Sequence, residues 1–291
     1  MKEKVINLIK GRVGILVLSL CISGCNASTK NITFDQAEIM RNQAEYQNLS
    51  PNEKEKSYRK LTSIYENIAK EGNAEAQFIL GDIYSRGLGG EHDEKKAFLW
   101  TKKAADNGEV LAAVATAMYY QMGIGVNENL SLAETYYLKA VNKNDVQAQF
   151  LLGAMYIENG KNQEGLELLK KAAQQNDVDA MFNLGLIYCD GELLKKDYKV
   201  CNSYWTKAAE LGHAESAFNV GINFQEGYGE QSIDKAIQYF KVASERNHGK
   251  ASYNLGIIYS YKQGGHVNPD LAKLYFEKAK EQGVIHGENL E

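Results

Sequence analysis

A residue that stops helices returns at nearly even intervals through most of this chain. Gly72, Gly108, Asn144, Asn176, Gly212, Asn247 and Gly283 are spaced by 36, 36, 32, 36, 35 and 36 positions. Glycine and asparagine enter the left-handed backbone region most readily, so they close helices just past the last turn. A stop at this period excludes an ordinary single-core domain and requires an array of stacked helical units. Such arrays serve mostly as binding scaffolds.

Aligning the blocks on that stop exposes two further sets of columns. Ala76, Ala112, Ala148, Ala180, Ser216 and Ala251 each precede by eight residues an aromatic: Tyr84, Tyr120, Tyr156, Tyr188, Phe224 and Tyr259. Between them stand Gly81, Ala117, Gly153, Gly185, Gly221 and Gly256. Glycine inside a helix costs about 1 kcal/mol relative to alanine, so this column predicts a neighbouring helix too close for a Cβ. The second half of each block carries Ala97, Ala133, Gly165, Cys201, Ala236 and Ala272, followed at three residues by Trp100, Tyr136, Leu168, Tyr204, Tyr239 and Tyr275. Four residues later come Ala104, Ala140, Ala172, Ala208, Ala243 and Ala279. Steps of three and four place each set on one helical face. Each block therefore reads as two amphipathic helices, A and B. Asn73, Glu109, Asp145, Asp177, His213 and His248 stand at the start of helix A, where N-caps belong.

These columns resemble the Sel-1-like repeat family, a relative of tetratricopeptide repeats. The stretch AQFILGDIYSRGLGGEHDEKKAFLWTKKAADNG, beginning at Ala76, is similar to that family's pattern. The resemblance covers residues 73–283 in six copies: 73–108, 109–144, 145–176, 177–212, 213–247 and 248–283. It implies an all-α fold, a right-handed α/α superhelical solenoid with a concave face lined by A helices. It implies a non-catalytic protein–protein interaction role, with no cofactor.

The N-terminus is of another kind. Lys2, Lys4, Lys10 and Arg12 precede an apolar stretch from Val13 to Ile22, too short to be a stable spanning anchor. Ile22-Ser23-Gly24-Cys25 closes it and resembles the lipobox of bacterial lipoproteins. The expectation is a signal peptide over 1–24, lipidation of Cys25 and a tether over 25–32. Asn26 after the cysteine resembles the pattern of outer-membrane lipoproteins, predicting a periplasm-facing chain held to the membrane only through lipid. Thr33 with Gln36 and Ser50 with Glu53 resemble capping boxes, and Pro51 suits the first position of a helix. They predict helices over 34–48 and 51–71, a capping pair within 33–72. Residues 284–291 form a tail. Removing residues 1–24 takes away four positive charges and one negative, shifting the net charge from −4 to −7. That balance opposes nucleic-acid binding.

Candidate chemistry is sparse. Cysteine-rich relatives of the Sel-1-like family have been associated with β-lactam binding and hydrolysis, so binding or hydrolysis of a cell-wall fragment or β-lactam is the alternative function. Ser57 with Lys60, and Ser232 with Lys235, have the spacing of a serine and its activating lysine, but no Ser-Asp-Asn or Lys-Thr-Gly partner occurs. Both serines fall in the register of Asp93, a helix-B start, where an N-cap explains them. The five histidines form no pair at metal-ligand spacing on a helix, so no metal is expected. Cys189 and Cys201 lie on the two helices of one hairpin and could pair, while Cys201 also suits a buried thiol in a column of small residues. One helix-A column changes character: Ile79, Ala115 and Leu151 give way to Asn183, Asn219 and Asn254. Asparagine amides on an inner face can bond a peptide backbone as donor and acceptor; the same amides can also satisfy their own helix. With Asn223, they form the candidate partner-binding groove. The expected partner is an envelope protein or peptide.

Overall fold

The computed structural model describes residues 32–261 and 265–284; these form fourteen α-helices and no strand. The described residues fall into two compact units that divide after Ala140.

The first unit opens with α1 (Phe34–Tyr46) and α2 (Pro51–Lys70), followed by α3 (Ala74–Arg86), α4 (Glu94–Asp106), α5 (Val110–Met122) and α6 (Leu130–Val141). Both expected capping boxes form: Thr33 with Gln36, and Ser50 with Glu53. The first helix ends at Tyr46, two residues before the expected end, because Gln47 turns extended. Tyr58, Tyr65, Leu61 and Ile64 of α2 are buried against Ala37 and Ala44 of α1 and Leu80 of α3. The Tyr65 hydroxyl donates to Glu38, so the phenol is buried without an orphaned polar end.

The second unit holds α7 (Val146–Glu158), α8 (Asn162–Gln174), α9 (Val178–Asp190), α10 (Tyr198–Glu210), α11 (Ala214–Glu226), α12 (Ile233–Glu245), α13 (Gly249–Ser260) and α14 (Pro269–Glu281). Within each unit, packing runs between helices adjacent in the chain, the one-dimensional order of a repeat solenoid. Every stop residue of the period has a left-handed backbone, the asparagines included: φ is 60° at Asn144, 66° at Asn176 and 62° at Asn247. Asn73, Glu109, Asp145, Asp177, His213 and His248 each accept a backbone N–H at the start of a helix A.

The glycine column has the cause its position predicts. A Cβ on Gly185 would stand 2.3 Å from Nε1 of Trp205, and one on Gly221 would stand 2.6 Å from the Phe240 ring. The Trp205 indole also donates to the Phe182 carbonyl at 3.0 Å, pinning α10 on α9. Aromatic columns then stack across the last three hairpins: Tyr188 on Tyr204, Phe224 on Tyr239, Tyr259 on Tyr275.

Three expectations need separate comment. Residues 1–31, which hold the signal sequence and Cys25, lie outside the described residues, as do 262–264 and 285–291. Ser57 is not at a helix start: the capping box at Ser50 begins α2 earlier, and the Ser57 hydroxyl donates back to the Glu53 carbonyl at 2.9 Å. Among the described residues no helix is long and apolar enough to cross a membrane.

Candidate functional site in the second unit

Asn183, Asn219 and Asn254 occupy the sixth position of α9, α11 and α13. Equal register on three successive A helices places them on one face of the unit, and all three are partly exposed. Their flanks explain that exposure: Leu184, Val220 and Leu255, one residue on, turn inward and are fully buried. The Asn183 amide donates to the Asp179 carbonyl at 2.7 Å. The amides of Asn219 and Asn254 make no hydrogen bond to another described residue. One turn further along each helix stand Leu186, Ile222 and Ile257, the first exposed and the others partly so. The face therefore alternates amide and aliphatic rungs, a surface that can bond a backbone and receive apolar side chains. The aliphatic rungs went unnoticed in the sequence because apolar residues in an amphipathic helix read as core.

Asn223 does not belong to this face. It is buried, its Nδ2 donates to Oδ1 of Asn202 at 2.6 Å, and it contacts Sγ of Cys189 at 3.5 Å and Sγ of Cys201 at 3.9 Å. Four residues beyond Asn219, the helix has rotated far enough to turn the amide into the joint with α10. Cys189 and Cys201 are bridged, with a Cα–Cα distance of 5.4 Å, closing the α9–α10 hairpin over Gly191. Asn223 thus ties the following repeat to that bridge.

The first unit presents different chemistry at comparable positions. Asp82 stands one turn past Ile79, and Arg86 bridges it at 3.2 Å to Glu45 of α1 at 3.6 Å. Burial pushes the Asp82 carboxyl above its ordinary range, against the pull of Arg86. At a neighbouring joint, Asp106 accepts from Lys102 at 2.6 Å, Lys139 at 3.0 Å and the Tyr136 hydroxyl at 2.8 Å.

The serine–lysine pairs have structural duties. Ser232 caps α12 by accepting the Lys235 N–H, and the Lys235 ammonium turns to Glu230 at 2.8 Å. His213 and His248 are engaged as caps; Nε2 of His248 meets Glu215 at 3.1 Å, and its ring stacks on Phe218. His266 pairs with Asp234 at 3.1 Å. Among the described residues no group of three His, Cys, Asp or Glu side chains is placed to hold a metal ion.

Stacked helical hairpins with glycine at the helix crossing and a regular left-handed stop define a repeat solenoid of the tetratricopeptide-like class. The Sel1 repeat model matches at 74–109, 110–145, 146–177, 178–213, 214–248 and 249–284, and the chain belongs to the Sel1 repeat family. Sel1 repeats in general mediate protein–protein interaction. Among solved structures, the chain is similar to a Sel1 repeat protein from Oxalobacter formigenes, with a TM-score of 0.67 and 24% identity over 85% of this chain and 98% of that one. It is also similar to c5321, a protective antigen of uropathogenic Escherichia coli, with a TM-score of 0.66 and 22% identity over 86% of this chain and 55% of that one. These likenesses concern the fold. Among curated proteins, Protein SHC1 of Saccharomyces cerevisiae is 31% identical over 168 residues, covering 53% of this chain and 33% of that protein. Chitin synthase regulatory factor 2 of Schizosaccharomyces pombe is 34% identical over 105 residues, covering 35% of this chain and 20% of its own length. The chain spans about a third or less of each of these two relatives.

Proposed function

We propose that this protein is a lipid-anchored interaction scaffold of a bacterial cell envelope. On this reading Cys25 carries the lipid, the tether holds the repeats at the outer membrane on its periplasmic side, and the second unit binds a segment of an envelope protein. The observation that carries the binding reading is the pair of partly exposed asparagines, Asn219 and Asn254, left without a hydrogen-bond partner among the described residues on successive A helices. An extended segment lying across them would accept and donate backbone hydrogen bonds, while Leu186, Ile222 and Ile257 take its apolar side chains. Contacts spread over several repeats give specificity by summation, each being modest.

The test is a quantitative pull-down from the source organism's envelope with residues 26–291 as bait, beside the triple change Asn183→Ala, Asn219→Ala, Asn254→Ala. A protein captured by the wild type and lost with the triple variant, at unchanged helicity, is the expected result. Capture that survives the triple variant removes the asparagine column from the binding site. The lipid is checked separately, by metabolic labelling with a fatty-acid analogue that Cys25→Ser should abolish.

A further inference from the structure

Three A helices of the second unit end on a residue that their own geometry disfavours. Glu158, Asp190 and Glu226 are the last residues of α7, α9 and α11. A helix C-terminus carries partial negative charge from its free carbonyls, so it repels a carboxylate and prefers lysine or arginine. None of these three helices has a basic residue in its last turn. In the first unit the same column holds Arg86 and Met122. All three carboxylate residues are exposed, and among the described residues none of them is ion-paired. Asp190 accepts the Glu192 N–H at 2.6 Å and Glu226 the Gln225 amide at 3.1 Å, bonds that leave both charges in place. Lys161 and Lys196, just past Glu158 and Asp190, hold their ammonium groups over the rings of Tyr156 and Tyr198, 4.7 and 5.6 Å from the centroids.

Their register ties these carboxylates to the asparagine face. Asn183, Leu186 and Asp190 stand at steps of three and four on α9, and Asn219, Ile222 and Glu226 do so on α11. Such steps keep to one face, so each helix presents an amide, an aliphatic and a carboxylate along a single stripe. On α13 the stripe reads Asn254 and Ile257, and Tyr261 follows at the helix end, 63% exposed. The face of a phenol ring attracts a cation, as a carboxylate does. The edge of the face running from Glu158 to Tyr261 thus offers positive charge a place on four successive repeats.

We infer that the segment bound at the asparagine face is basic: an extended stretch of a partner protein whose apolar residues are flanked by lysine or arginine. The assignment rests on the asparagine face being the binding site and adds the chemistry of what lies there. The backbone of the segment bonds the amides of Asn219 and Asn254, and its apolar side chains cover Leu186 and Ile222. Its basic side chains reach Asp190, Glu226 and the Tyr261 ring. Amides without a partner mark the face, and charge complementarity along its edge selects the occupant.

The probe comes from selecting a random twelve-residue peptide library on the full chain. Parallel selections use the triple change Asn183→Ala, Asn219→Ala, Asn254→Ala and the triple change Glu158→Gln, Asp190→Asn, Glu226→Gln. Peptides selected by the wild type should be enriched several-fold in lysine and arginine over the starting library. A fluorescently labelled copy of the most enriched peptide should bind the full chain saturably by anisotropy. The carboxylate variant should weaken it about tenfold at low salt, with the difference shrinking as salt rises. That variant removes charges which the helix ends disfavour, so it should melt no lower than the wild type, and lost binding is then not lost fold. Peptides with no basic excess that still depend on the asparagines overturn this inference and keep the asparagine site. Basic peptides that need the carboxylates but bind the asparagine variant equally well support the acidic edge and remove the amides from the site. Equal affinity for wild type and carboxylate variant, or no selection above an unrelated helical protein, overturns the inference.

Discussion

Gly221→Ala sets two physical effects against each other at a site where the structure decides the sign. Helix propensity alone favours alanine by about 1 kcal/mol, because glycine loses more backbone freedom on folding. The new Cβ, however, would stand 2.6 Å from Cδ1 and Cε1 of Phe240 and 3.1 Å from Cζ. That ring is fully buried and already packed on Phe218 at a centroid distance of 5.8 Å, so it has little room to retreat. Forcing a methyl into such a contact costs typically about 1–3 kcal/mol before the backbone yields. A van der Waals overlap of this size belongs in the upper half of that range. The expected net result is destabilisation of about 1–2 kcal/mol, read as a shift of the urea midpoint at unchanged slope by circular dichroism. The double variant Gly221→Ala, Phe240→Leu supplies the control. With the ring gone, the alanine should recover its propensity gain, leaving a coupling energy of about 1 kcal/mol or more between the two sites. If Gly221→Ala is as stable as the wild type, or more so, close helix approach is not what keeps glycine in this column.

The Cys189–Cys201 bridge closes a loop with a sequence separation of 12, so losing it should cost about 3 kcal/mol. Urea unfolding with and without reductant measures this, and superimposable curves would refute it. Asp106, which burial alone would push up, is brought down to about 2 by hydrogen bonds from Lys102, Lys139 and Tyr136. That is below the unfolded value of about 3.9, so its contribution is complete above about pH 4 and fades as pH falls toward 2. Its side chain is 40% exposed, which reduces the contribution to about 1 kcal/mol after screening. The stability gap between wild type and Asp106→Asn should accordingly narrow from pH 5 to pH 2; a constant gap would contradict the assignment. His248→Ala removes the cap of α13 and should cost about 1 kcal/mol, whereas His248→Asn keeps an acceptor and should cost less. Equal losses in thermal melts would mean that the ring's stacking on Phe218, not the cap, is what counts.

What could be read from the sequence was whatever depends on a residue and its near neighbours in the chain. The stops, the caps and the capping boxes are local, so Asn144 and His213 announced their roles through position alone. The glycine column was legible for a related reason: its period ties each glycine to the next helix in the chain, at an offset of about twenty residues except in the shorter third repeat. Rotational questions were harder. Asn219 and Asn223 are one turn apart, and only the packing of α11 on α10 shows that the second turns inward to Asn202 and the bridge. Ser57 misled because α2 is longer than the later helices, so a register shared with Asp93 fell inside a helix rather than at its start. The pairing of Cys189 with Cys201 stayed open because spacing along two helices does not determine the distance across a hairpin.

The asparagine column remains the point where a local and a functional explanation compete, and the three residues separate them. If these asparagines served only their own helices, each would bond the carbonyl four residues earlier. Asn183 does so, donating to Asp179. Asn219 and Asn254 stand at the same register and make no such bond. A partly exposed amide without an intramolecular bond is solvated in the free protein, and its desolvation on binding must be repaid by a partner's polar groups. The change from aliphatic to amide residues also begins after Leu151, already inside the second unit, so it is not a by-product of the division at Ala140. Single substitutions should then divide unevenly. Asn219→Ala and Asn254→Ala should each weaken capture of the partner by about fivefold while leaving the melting temperature unchanged, as for loss of one net hydrogen bond of about 1 kcal/mol. Asn183→Ala should weaken capture less. If all three weaken it equally, the helix-bonded rotamer of Asn183 is released on binding; if none does, the column is a structural feature of the repeat and the partner sits elsewhere.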